Sequence, residues 1–111
     1  MTRAQGYLAF LAAWLAATFS LTSIPNPDFG FSFPGADKVA HLALYGVGGF
    51  LFALWRRETG RDRAAAIRLA VVFVALLGAA DEIHQRWIPG RSMDFLDWLA
   101  DLSGGTAGAL F

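Results

Sequence analysis

The chain has no cysteine, which excludes disulfide stapling and thiolate metal ligation alike. It is also poor in charge: Asp, Glu, Lys and Arg make up 16% of its 111 residues, where soluble domains carry about a quarter. Nine basic residues balance nine acidic ones. With net charge zero there is no global field to attract nucleic acid, and no nucleic-acid partner is expected. Internal repeats, low-complexity tracts and the H-x-x-x-H or H-E-x-x-H spacings of zinc enzymes are missing too. So little polar surface disfavours a soluble all-α protein.

What the chain has in quantity is hydrocarbon. Hydrophobic residues make up 56%, ten Phe and four Trp among them. They fall in four runs, read as helices over about residues 6–24, 39–55, 64–88 and 94–111. Residues 6–24 carry no acidic or basic side chain, and as a helix they span about 28 Å, close to the thickness of a bilayer's hydrocarbon core. In the third run Arg68 is near enough to the start to snorkel to the headgroups. The fourth is the most polar, with Asp97 and Asp101 inside it. Pro34-Gly35 and Pro89-Gly90 are turn signals, and residues 56–63 form a charged hairpin. The expected fold is all-α: one domain over residues 1–111, an integral membrane bundle of four transmembrane helices with short loops.

Charge placement gives an orientation. Arg56, Arg57, Arg61 and Arg63 follow the second run, and Arg3 precedes the first. The positive-inside rule puts both groups in the cytoplasm, as an even number of spans requires. Both termini are then cytoplasmic, and residues 25–38 and 86–92 face outward. No cytoplasmic domain is expected after the fourth run.

Seven of the eighteen charged residues lie between Asp81 and Asp101, flanked by apolar sequence. Helical periodicity sorts the polar groups into stripes. Asp37, His41, Leu44, Tyr45 and Gly48 share an arc on the second helix. Gly78, Asp81, Glu82 and Gln85 share one on the third. Asp94, Asp97, Asp101, Gly104, Gly105 and Gly108 share one on the fourth, where Gly104 and Gly108 have G-x-x-x-G spacing. His84 falls off its arc by about 100°. Ionisable groups within a membrane are costly, so they face a bundle interior or wet cavity and pair. The expected result is a polar pocket opening outward between helices two, three and four, with the first helix as a buttress. Lys38, Arg86 and Arg91 are the expected partners of Asp81, Glu82, Asp97 and Asp101, with Glu82 and Arg86 four apart on one helix. Asp28, Asp37 and Asp94 add to the outward acids, so complete pairing is impossible. Surplus carboxylates want protons, a metal or a cationic ligand. The plainer reading is that the charges only staple the helices together. Trp55, Trp87 and Trp98 read as interface anchors, and Trp14 as packing.

These residues resemble the VanZ-like family of small bacterial membrane proteins. DKVAHLALY over residues 37–45 resembles its D-K-x-x-H-x-x-x-Y signature. DEIHQ over 81–85, followed by PGR over 89–91, resembles D-E-x-x-Q and P-G-R. DWLADLSG over 97–104, with Gly108, resembles D-x-x-A-N-x-x-G-x-x-x-G. Asp101 departs from the pattern, whose commoner residue there is Asn. The resemblance implies a bacterial inner-membrane protein of the cell envelope, in a family named for a protein linked to low-level resistance to the glycopeptide teicoplanin. It supplies no agreed reaction.

Roles therefore come from the residues. His41, Asp81 and Glu82 are the candidate acid–base groups. Asp37, Lys38, Tyr45, Gln85, Arg91, Asp97 and Asp101 are the candidate ligand-binding groups, with Lys38 and Arg91 suited to phosphate or carboxylate. The expected partner is a membrane lipid, a lipid-linked cell-wall precursor or a lipoglycopeptide, bound or modified at the pocket. No metal or cofactor is assigned. The alternatives are a metal-dependent membrane hydrolase with ligand types in His41, Asp81, Glu82, His84 and Asp97, of which His84 is the poor candidate because it lies off the arc, and a non-enzymatic assembly subunit.

Overall fold

The structure, a computed structural model, describes residues 1–23, 35–89 and 93–111, and these form four helices. Helix α1 is Arg3–Thr22, α2 Ala36–Glu58, α3 Arg63–Gln85 and α4 Phe95–Ala109. The first three are long and apolar enough to cross a membrane, by length and composition. At 15 residues α4 is about 22 Å long, shorter than a hydrocarbon core of about 30 Å.

Capping chemistry sets the starts, which differ from the edges of the apolar runs. Thr2 and Gln5 form a reciprocal capping box, so α1 begins before residue 6. Asp62 caps α3 by accepting from the Ala65 N–H at 2.7 Å, and Asp94 caps α4 by accepting from Leu96 at 2.9 Å. Gly35, at φ +81°, supplies the left-handed entry to α2. Asp37 and Lys38 therefore lie in its first turn rather than in a loop. At the other end α3 stops at Gln85, and residues 86–88 continue as tight turns with i to i−3 hydrogen bonds.

Glycine governs the packing of α2 against α4, which run in the same direction. A Cβ on Gly49 would strike the carbonyl oxygen of Gly105, one on Gly108 that of Gly46, and one on Gly104 that of Leu42. Backbone touches backbone along this seam, which only Gly permits. Gly105 also forms the notch that receives Val74 of α3. Gly48 faces the other way, under the Trp14 ring of α1, so it belongs to the α1 contact and not to the polar stripe. Trp14 packs edge-on to Tyr45, with centroids 5.6 Å apart, and its indole N–H donates to the Leu44 carbonyl at 2.9 Å. It is a packing residue, as its mid-run position suggests.

The bundle has two chemically distinct ends. The start of α2, the end of α3 and the start of α4 bring the acids together. The opposite end holds most of the arginines, where a cleft of about 520 Å³ is lined by Phe52, Trp55, Arg56, Arg61 and Arg68 among others. Arg63 there donates to the Leu110 carbonyl at 2.6 Å, a cation on the last turn of α4.

Candidate functional site

His41 is the centre of the acidic end. It lies one turn into α2, buried, and its Nδ1 is 2.7 Å from Asp101 Oδ1 on α4. Its Nε2 is 3.7 Å from Asp97 Oδ2, and Glu82 Oε1 of α3 is 3.9 Å from Nδ1. Three carboxylates from two other helices thus surround one imidazole. The i, i+4 spacing of Asp97 and Asp101 presents both from one face of α4.

Lys38 forms the rim. Its ammonium lies 2.7 Å from Asp37, 2.8 Å from Asp94 and 2.6 Å from Asp97. Asp97 therefore faces Lys38 with one oxygen and His41 with the other. Asp94, at the mouth, is held below the ordinary carboxylate value by the hydrogen bond from Lys38. Its backbone N–H donates to Glu82 Oε2 at 3.1 Å, fixing the Glu82 carboxyl across the gap between α3 and α4.

Deeper, the Tyr45 hydroxyl donates to Asp81 Oδ2 at 3.2 Å, with both residues at 0% exposure. Several buried polar atoms are left over. Asp81 Oδ1, Glu82 Oε1, Gln85 Nε2 and Asp101 Oδ2 make no hydrogen bond among the described residues. Burying such groups without partners costs free energy.

Of the candidate site residues, the structure sets Glu82, Asp97 and Asp101 around His41, Asp37 and Asp97 around Lys38, and Tyr45 against Asp81, while Gln85 is buried at the end of α3 with its Nε2 unpartnered among the described residues. Arg91 lies outside the described residues. The Glu82–Arg86 pair is not formed: the helix ends at Gln85, Arg86 is exposed beside Trp87, and Glu82 turns inward. Of the expected basic partners Lys38 alone pairs with acids here among the described residues, and it is already outnumbered. It is therefore a weaker holder of a phosphate or carboxylate than its motif suggests. His84 sits apart, against Phe19 of α1 at 6.0 Å.

Two contributions were less legible. Asp94 stands on the α4 stripe, but its double use, as rim carboxylate and as backbone donor to Glu82, is tertiary. Trp98, expected as an interface anchor, donates its indole N–H to the Ala75 carbonyl at 2.9 Å and ties α4 to α3.

A family model described as VanZ/LLP1 matches residues 5–111. No curated protein and no solved structure matches the chain. Together with the three membrane-length apolar helices, the family match marks a membrane protein.

Proposed function

The chain belongs to the VanZ/LLP1 family, and on that footing we propose that it is a bacterial inner-membrane protein of the cell envelope that binds or modifies the polar head of an amphiphile. The substrate class is a membrane lipid, a lipid-linked wall precursor or a lipoglycopeptide. The link to glycopeptide resistance rests on the family resemblance alone. In this reading α4 is a fourth, short span, its Asp94 end at the outer headgroups. Both termini are cytoplasmic, and the acidic end opens outward. An amphiphile would keep its tail beside the apolar flanks and insert its head between α2, α3 and α4.

One observation carries the proposal: the convergence of His41, Asp97, Asp101 and Glu82 from three helices, with buried polar atoms left unpartnered. Groups that served only to staple helices would be expected to satisfy one another. Glu82 and His41 are the acid–base candidates nearest one another, and Asp81, bonded to Tyr45, supports them from below.

Native mass spectrometry of the detergent-solubilised protein tests this. Wild type should retain a specific lipid adduct, and Glu82→Gln or His41→Ala should lose it while helix content and membrane insertion remain. An adduct that persists in both variants, or that mirrors bulk phospholipid composition, would count against the reading. In cells, the same variants should abolish any change in teicoplanin susceptibility without lowering protein level.

A further inference from the structure

We propose that His41, Glu82 and Asp97 bind one divalent cation of the zinc or manganese class, with Asp101 orienting the imidazole. This deepens the reading above and rests on its site being open to a ligand.

One donor atom from each of the three residues lies within 4.8 Å of the other two, and all three residues are buried. They come from three helices, so the bundle itself fixes their separation. The 3.7 Å between His41 Nε2 and Asp97 Oδ2 is too long for a hydrogen bond. It is close to the spacing of two ligands on one ion, about 3.3–3.6 Å for a tetrahedral shell with bonds of about 2.0–2.2 Å. One imidazole with two carboxylates is a donor set for Zn²⁺, Mn²⁺ or a similar first-row ion.

The surroundings agree. Asp101 Oδ1 accepts from His41 Nδ1 at 2.7 Å, which fixes the tautomer and leaves Nε2, 3.7 Å from Asp97 Oδ2, with the free lone pair. That carboxylate–histidine relay is how proteins orient a metal-bound imidazole. Glu82 is only 3% exposed, and its Oε1 has no hydrogen-bond partner, although its other oxygen is held by the Asp94 N–H. It is a buried carboxylate with one oxygen reserved. Asp97 likewise gives one oxygen to Lys38 and keeps the other toward His41.

Charge balance points the same way. Asp81, Glu82, Asp97 and Asp101 are all buried, and Lys38 at the rim is shared by three carboxylates. A dication would offset much of this excess. It would also supply the positive charge that Lys38 cannot spare for a phosphate or carboxylate head.

The test uses the full-length protein in detergent, stripped with chelator and titrated with Co²⁺ as a spectroscopic probe and Zn²⁺ as competitor. The expected result is one Co²⁺ per chain, with visible d–d absorption that Zn²⁺ displaces. His41→Ala and Asp97→Asn should weaken binding at least tenfold. Asp101→Asn should weaken it by about 10- to 100-fold through loss of the orienting carboxylate. His84→Ala, which alters a histidine outside the cluster, should leave it unchanged. The proposal is overturned if wild type shows no saturable binding at one ion per chain, or if binding is indifferent to His41 and Asp97. Wild-type stoichiometry decides the matter even where a variant fails to fold. Lipid retention by the metal-stripped protein is read separately, so the cation site can fall while the amphiphile site stands.

Discussion

Tyr45 and Asp81 show how narrow the margins are at single residues. Both are fully buried, and their one mutual hydrogen bond satisfies Asp81 Oδ2 while Oδ1 has none. Tyr45→Phe keeps the ring against Trp14 and removes only the donor. We expect it to lower the unfolding free energy of the detergent-solubilised protein by about 1–2 kcal/mol, read from denaturant titration. Asp94 gives a pH signature. Its carboxyl is held below its ordinary value of 3.8 by Lys38, so the contact is fully present above that pH and is lost as pH falls through the depressed value. The stability difference between wild type and Asp94→Asn should therefore be constant from about pH 7 to 5 and shrink below about pH 4. Which residues matter at this scale was legible; which partner each takes was not. Asp37 and Tyr45 share the arc of His41, one turn either side of it. Yet Asp37 goes to Lys38, Tyr45 to Asp81, and His41 to carboxylates on other helices. Periodicity gives the face a side chain leaves from, but not the neighbour it meets.

At the scale of elements the decisive contact is the glycine seam between α2 and α4. Gly49→Ala would drive a methyl group into the Gly105 carbonyl, and the helices must separate to admit it. A loss of about 1–3 kcal/mol is expected, with weakened ligand retention because His41 and Asp101 separate with their helices. Gly6→Ala is the counter-case: a Cβ there meets nothing within 4 Å, so the helix should gain about 0.5–1 kcal/mol from propensity alone. Thermal melts of the two variants in one detergent should move in opposite directions. Gly104 and Gly108 announced their half of this seam by spacing. Gly46 and Gly49 on α2 did not, because a glycine pair three apart is common and its partner surface is a backbone. The starts of α1 and α2 fall three residues before the expected 6 and 39 for a related reason. Hydropathy stops short at polar and charged residues, whereas Thr2 and Gly35 begin their helices by hydrogen bonding and backbone geometry.

For the whole molecule the open question is orientation, and the absence of cysteine makes it directly measurable. Single cysteines at Arg61 and at Met93, both exposed, can be labelled without background. Met93→Cys should react with an impermeant maleimide in intact cells, and Arg61→Cys only after permeabilisation. The reverse pattern would invert the proposed site and detach it from any envelope ligand. The all-helical architecture was legible because long apolar runs admit few alternatives. The membrane status of α4 was not, because 15 residues beginning with acids satisfy neither a span nor a soluble helix cleanly. The segregation of acids to one end and arginines to the other reaches beyond orientation at insertion. A protein neutral in sum is strongly polarised along its length, and an energised bacterial membrane is positive outside. Each elementary charge moved through 100 mV is worth about 2.3 kcal/mol. In the orientation proposed above, voltage would act as a standing torque that holds the acid pole outward, and it would draw cations toward that pole for as long as the cell respires.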